Sequence, residues 1–403
     1  MKRWFVAAAG FAALLFAGMV YAWSILSAPI AQEFPTWSKA QLSMTFTVVM
    51  IFFCLGSVAA GALASRIHAR TILFVSAALF LAGFFGASRI STPVALWLSF
   101  GVICGTASGL TYNTVLGTVG RWFPNRQGLI SGILLMGFGF SSFLIGKVYQ
   151  AFTPASQGAW RHSFFVLGVV TAAVLALCAP LIRRPGAEEV SSAARAARKT
   201  SAEEIPAGKM LRRGDFWFFY LWAIVLSAAG LALVSQAGGI AREIGASVSP
   251  AQIATTVGLI SIANGLGRVI SGGLFDRLGR RLSMLLVCFC FLLTGLLLTV
   301  ALKTGSYALM TVGFITGGLA YGGVSPTNSA FTGAYYGLRH YPLNFSIVNS
   351  NLMIASFGST VAGTLYDLSG TYRSTYLMVA VLALLGVLAS GAITLCDKKR
   401  SRT

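Results

Sequence analysis

The chain has 403 residues, of which 56% are hydrophobic and only 10% charged, against about 25% charged in an ordinary soluble domain, and this excludes a soluble globular protein. The formal net charge of +20 invites a nucleic-acid partner, but the placement of the charges along the chain argues against one. Repeated apolar runs of about 20 residues, each long enough to cross a ~30 Å hydrocarbon core, make this an all-α, polytopic membrane protein.

In chain order the runs predict twelve membrane helices: 4–30, 41–64, 71–88, 93–119, 127–152, 163–182, 216–238, 250–275, 282–302, 307–326, 343–366 and 375–395. We call them spans one to twelve. The start, Met1-Lys2-Arg3 before an apolar run, resembles a signal peptide with Val20-Tyr21-Ala22 as a cleavage site. Eleven further spans favour a retained first helix, because cleavage would leave an odd number.

With twelve spans both termini share one side. That side carries 22 of the 30 Lys and Arg residues, the other carries six, and Lys147 and Arg268 lie within spans. A bias of this size places both termini in the cytoplasm, and it assigns the basic character to topology and contact with anionic membrane lipids, with no nucleic acid. The six cysteines fall within or at the ends of spans, where buried small hydrophobes are the simplest reading. No metal or cofactor is expected.

The polar stretch 183–213 separates a first six-helix half, 1–182, from a second, 214–403, and reads as a solvated linker. The halves look like repeats. Gly61 to Arg70 follows span two and Gly272 to Arg281 follows span eight, 211 residues later, and each has a Gly five residues before an Arg.

The second copy, Gly272-Gly-Leu-Phe-Asp276-Arg277-Leu-Gly-Arg280-Arg281, closely resembles the signature of the major facilitator superfamily; the first has Ser65 in place of the acid. The resemblance implies two pseudo-symmetric six-helix halves with a midplane site between them. A narrower resemblance is to the oxalate/formate antiporter family and the monocarboxylate transporters. It rests on Arg121-Trp-Phe-Pro-Asn-Arg126-Gln-Gly128 before span five, Tyr21-Ala-Trp23-Ser24 in span one, Gly322-Gly-Val-Ser-Pro326 in span ten and Asn344-Phe345 in span eleven.

A charge inside a membrane is costly and usually has a task. Arg268 lies seven residues before Phe275, ~10 Å along the helix. Ser261 and Asn264 share its face. All ten acidic residues fall in loops or at span ends, so no span interior supplies the counter-charge that a structural ion pair would need. A substrate carboxylate is the simplest missing anion, since the planar guanidinium holds both oxygens; an Arg satisfied by helix carbonyls and water at a gate is the alternative.

Arg268 matches the substrate-binding arginine of both resembled families. The resemblance also exposes two departures. Asn264 stands where monocarboxylate transporters have an Asp linked to proton coupling, and Leu352, beside Asn351, stands where the oxalate antiporter has a second cation. Lys147 lies near the end of span five, where it can snorkel to the interface.

The remaining pocket candidates are Tyr21, Trp23, Tyr112, Asn113, Tyr321 and Asn351, all of types that serve packing as readily as substrate. Asp276 with Arg277, Arg280 and Arg281 is expected to form a cytoplasmic gate latch, the acid pairing with those arginines or with a neighbouring helix N-terminus.

An intramembrane enzyme would need buried titratable groups, and His68, His162 and His340 all lie in loops. No phosphate-binding loop is present. The expected function is therefore secondary transport of small carboxylate anions, most simply monocarboxylates, with protons or a counter-transported anion as the coupled partner. An oxalate:formate-type antiporter and a non-transporting sensor on the same fold are the alternatives.

Overall fold

A computed structural model of the chain describes residues 2–37, 39–154, 156, 158–186, 204–245 and 249–400. The linker expected over 183–213 lies partly outside the described residues, and residues 401–403 lie wholly outside them.

Among the described residues ten helices are long and apolar enough to cross a membrane. Two local features reconcile this with twelve spans. Spans eight and nine run as one helical segment, Pro250–Thr304, through the sharp corner at Gly279, whose φ of 73° and ψ of −179° only glycine adopts without strain. Span eleven is instead broken into Tyr341–Asn349, Asn351–Ala355 and Phe357–Ser369, each shorter than the bilayer core requires.

Spans four, eight and ten begin where a side chain caps the helix. Thr92 accepts from the Ala95 amide at the start of span four, and Ser249 with Gln252 forms a capping box at the start of span eight, with Pro250 in the first turn. Span one is α-helical over Lys2–Ala17, tightens to 3-10 geometry over Gly18–Ala22 and resumes as short α-helices over Trp23–Leu26 and Ala28–Glu33. A Cβ on Gly18 would lie 2.3 Å from the Phe138 carbonyl oxygen of span five, so the backbones touch there. Span four includes a π-helical stretch, Trp97–Cys104. Span ten is longer than its hydropathy suggests: the helix Tyr307–Tyr336 continues past Pro326, which neighbouring helices in a membrane bundle permit.

Lipid tails are as apolar as leucine, so helices in a membrane associate through close packing and hydrogen bonds. The chain fits this rule. Gly109 of span four sits where a Cβ would be 2.0 Å from the Phe53 carbonyl oxygen of span two.

The packing forms two compact units. One comprises Met1–Asn125, Gly137–Ser201 and Leu338–Ile347; the other comprises Arg126–Met136, Ala202–Gly337 and Val348–Thr403. The start of span five thus packs with helices of the second sequence half, and the start of span eleven with helices of the first.

Each unit ties the end of its first span to the start of its sixth through a glutamate. Glu33 accepts from Arg161 at 2.7 Å and from the Trp160 indole, while Arg161 also donates to the Ser88 and Ile90 carbonyls. Glu243, 210 residues on, accepts from the Thr371 hydroxyl at 2.6 Å and the Tyr372 amide at 3.1 Å. Burial pushes the Glu33 carboxyl up, but the hydrogen bonds of Arg161 and Trp160 and the Arg161 charge outweigh it, and its pKa lies below the usual carboxylate value.

A carboxyl whose folded pKa is depressed stabilises the fold above its unfolded pKa and loses that contribution as pH falls through the folded value. Wild-type stability in detergent should therefore decline on acidification below about pH 4. Glu33→Gln should cost ~1 kcal/mol at neutral pH and flatten this acid limb, as read by thermal unfolding across pH 3–7.

Candidate functional site

Span eight carries the central side chain. The Arg268 guanidinium is half-buried; its Nε donates to Asn264 Oδ1 at 3.0 Å, and its Nη1 donates to the backbone carbonyl of Leu135 in span five. Asn264 is one helical turn earlier, so the i, i+4 spacing alone brings the two side chains together. The Leu135 contact needs more, because a helix carbonyl is reachable only if the two backbones nearly meet. Gly132 provides that approach: a Cβ there would be 2.3 Å from the Arg268 carbonyl oxygen.

Span ten closes the other side. A Cβ on Gly322 would lie 2.2 Å from the Asn264 carbonyl oxygen. The adjacent Tyr321 is half-buried, and its ring lies against Gly230 of span seven. Arg268, Asn264 and Tyr321 are thus brought together. Among the described residues no ion pair reaches Arg268. Two of the five guanidinium N–H donors are engaged by described residues, through Nε and Nη1.

At the corner after span eight, Asp276 accepts from the amides of Gly128 (2.9 Å) and Leu129 (2.8 Å). These are orphan donors in the first turn of the helix Gln127–Phe152, so a carboxylate there complements the helix dipole. Of the two partners open to Asp276 from sequence, the helix N-terminus is the one observed. Arg280 turns elsewhere: it pairs with Asp397 at 2.9 Å and with the Thr394 hydroxyl at 3.0 Å, and Tyr335 donates to the same carboxylate at 2.7 Å. Arg277 and Arg281 are exposed.

In the first repeat, Gly61 meets the Pro342 carbonyl of span eleven at 2.6 Å from its would-be Cβ, as Gly272 meets Gly128 at 2.1 Å in the second. The two copies of the sequence motif thus do the same steric job in their own units. A family model of the Major Facilitator Superfamily matches residues 7–238 and, again, 230–403. The chain belongs to this superfamily.

Superfamily members are transporters, and this chain is a multi-pass membrane transporter rather than an enzyme. It is 24% identical to the MFS-type transporter YhjX of Escherichia coli (strain K12), over 84% of this chain and 82% of that protein. It is also 24% identical to the oxalate:formate antiporter of Oxalobacter formigenes, over 84% of this chain and 80% of that one. Monocarboxylate transporter 13 of Bos taurus is 27% identical, over 82% and 75% of the two chains. The fold matches that of the proton:xylose symporter XylE with a TM-score of 0.74 at 14% identity, covering 96% of this chain and 94% of XylE.

The other sequence candidates divide by unit. Asn351 belongs with Arg268 in the second, where its amide donates to the Ala223 carbonyl and the Ser227 hydroxyl, both at 2.9 Å. In the first unit the Asn113 amide donates to the Ser57 and Pro342 carbonyls at 2.6 and 2.8 Å. The Trp23 indole donates to the Leu42 carbonyl at 2.9 Å. Tyr21 and Tyr112 both pack edge-on to Phe138, and Tyr112 also stacks on Phe345.

Sequence reasoning missed the Leu135 carbonyl, which carries no side-chain signal, and the Asp397–Tyr335 pair that holds Arg280. It also missed the Glu33 and Glu243 ties, which their equivalent places in the two repeats signal. Asn351→Leu should lower stability by ~1–2 kcal/mol through the loss of two buried hydrogen bonds, with transport KM changed less than about twofold. Unfolding in detergent alongside uptake kinetics measures both.

Proposed function

We propose that this transporter carries small carboxylate anions, monocarboxylates of the lactate, formate and pyruvate type, by alternating access, with Arg268 binding the carboxylate. The observation that carries this reading is the guanidinium in mid-span eight, held by neutral partners and facing no protein carboxylate among the described residues. A cation inside a membrane span without a counter-ion is expensive, and a substrate anion relieves that cost. The names of the oxalate:formate antiporter and monocarboxylate transporter relatives point to the same chemical class. One cation at this site favours a single carboxylate, because Leu352 supplies no second charge. Asn264 does not titrate, so a side-chain proton relay has no carrier at that position. In this reading the protein sits in the plasma (inner) membrane with both termini cytoplasmic, an orientation that the charge bias supports.

In this reading Asp276 is the cytoplasmic latch, capping span five while that end is closed and releasing it on opening. Arg280 supports the corner through Asp397, and Arg277 and Arg281 supply cytoplasmic positive charge.

Arg268→Ala should reduce uptake of labelled lactate or formate into proteoliposomes by more than about 30-fold, ~2 kcal/mol or more, with the protein still monodisperse. Arg268→Lys should also fail, since an ammonium cannot hold Asn264 and Leu135 while forking a carboxylate. Wild-type uptake by either variant would remove the proposal. Arginine-dependent binding without flux would instead make the protein a sensor.

Asp276→Asn should weaken closure by ~1 kcal/mol, an increase of about fivefold in the open population. Accessibility of single cysteines placed on the cytoplasmic face reads this directly.

A further inference from the structure

The first unit contains a second feature built from charge, separate from Arg268. Where spans two and three are joined and span six ends, a groove of about 620 Å³ is lined by Arg66, His68, Arg70, Arg183 and Arg184, and no carboxylate is among its lining residues within the described part of the chain. The small residues Ala64, Ala69, Ala179 and Pro180 also line it, and they leave room beside the charged side chains.

The walls are positioned. Arg184 donates to the Ala64 carbonyl across the groove, and the Trp122 indole holds the Arg183 carbonyl at 2.7 Å. The Arg70 guanidinium lies over the Phe74 ring, 5.5 Å from its centroid. A carbonyl oxygen and an aromatic face fix Arg184 and Arg70 in place without neutralising them, so their charge remains available to an anion.

The surroundings say which anion. Leu63, Phe74, Leu177 and Leu181, within a helical turn in sequence of the lining residues Ala64, Arg70 and Pro180, are 36%, 40%, 72% and 54% exposed. They lie on the outer faces of spans two, three and six, which in a membrane protein are the lipid-facing ones. A compact positive pocket opening beside bare apolar helix surface suits a molecule with a phosphate at one end and acyl chains at the other.

We infer that this groove is a binding site for an anionic phospholipid of the cytoplasmic leaflet, with Arg66, Arg70 and Arg184 gripping the headgroup phosphate. Juxtamembrane basic clusters attract such lipids, and guanidinium pairs hold phosphate oxygens bidentately. The inference rests on the cytoplasmic orientation proposed above but not on the carboxylate substrate, so it stands or falls independently of Arg268.

The test is native mass spectrometry of the full-length protein in a non-ionic detergent, titrated with cardiolipin, phosphatidylglycerol and phosphatidylcholine. Wild type should retain the two anionic lipids in preference to phosphatidylcholine. The variant Arg66→Gln/Arg70→Gln/Arg184→Gln should lose about tenfold in that affinity. A tail variant, Lys398→Gln/Lys399→Gln/Arg400→Gln, removes the same net charge and should stay within about twofold of wild type.

Equal losses in the two variants would mean diffuse attraction and overturn the site, as would equal retention of phosphatidylcholine by wild type. Glycerol 1-phosphate has the headgroup chemistry without acyl chains and should not displace the lipid at equal concentration. Displacement would assign the groove to a soluble phosphate and overturn the lipid assignment. If the triple variant is not monodisperse, Arg70→Gln alone carries the test with an expected loss of about threefold, and no loss would overturn the proposal.

Discussion

A guanidinium in the middle of an apolar helix must find hydrogen-bond partners within reach, because no water of the bilayer core will supply them. For Arg268 the first partner is local, Asn264 one turn away. The second is a backbone carbonyl of another helix, and that requirement propagates outward. Leu135 can serve only if span five lies directly against span eight, so the crossing needs a residue without a side chain, and Gly132 stands there. Farther along the same crossing, Gly128 and Gly272 meet backbone to backbone, and beside them Asp276 reaches the free amides of Gly128 and Leu129. Gly322 lets span ten reach the other side of the same turn. Charge placement and close helix packing are thus a single arrangement.

The two repeats solve equivalent steric problems with different chemistry. In each unit the glycine that opens the motif admits the backbone of a crossing helix, Gly61 to Pro342 and Gly272 to Gly128. What holds the crossing differs. In the second unit a carboxylate caps a helix N-terminus. In the first, with Ser65 at the acid's position, the Asn113 amide bridges the Ser57 and Pro342 carbonyls. Interactions involving a full charge are screened by salt at exposed positions and neutral buried amide bonds are not, so the two attachments respond differently to ionic strength. The outer glutamates diverge in the same way: Glu33 faces an arginine and an indole, Glu243 a hydroxyl and an amide.

Much of this was legible in the sequence, for identifiable reasons. Hydropathy fixes spans because hydrocarbon tolerates so few alternatives, and Arg268 stands out because charge at that depth is rare. The i, i+4 relation to Asn264 follows from helix geometry alone. The breaks were not legible: the 3-10 turn at Gly18–Ala22, the π-helical stretch in span four and the interruptions of span eleven depend on contacts with neighbouring helices that no local pattern encodes. Pro326 read as the end of span ten, yet the helix continues. The helix-bridging hydrogen bonds of Asn113, Asn351 and Trp23 were also hidden, since an amide or indole that bridges helices has the same one-dimensional signature as one that binds substrate. Arg280 shows the limit in another form, because its partner Asp397 is 117 positions away.

The way the Arg268 donors are divided suggests how binding and conformational change are linked in the proposed carrier. Nε is committed to Asn264 within the same helix, and that contact moves with the helix. Nη1 is committed to Leu135, on a different helix, and that contact survives only while spans five and eight remain pressed together. A carboxylate forked on the Nη1–Nη2 edge draws on the same nitrogen. Substrate and the Leu135 carbonyl therefore act on one group, and any difference in anion affinity between the packed and separated arrangements of these helices is, by linkage, the amount by which the anion shifts their equilibrium. An arginine suits this task better than a lysine because its fixed fork keeps the Asn264 contact while the other edge exchanges partners. The Asp276 cap acts on the same pair of helices through the first turn of span five. Its contribution and that of the substrate are accordingly exerted on one equilibrium, from two points along a single helix crossing.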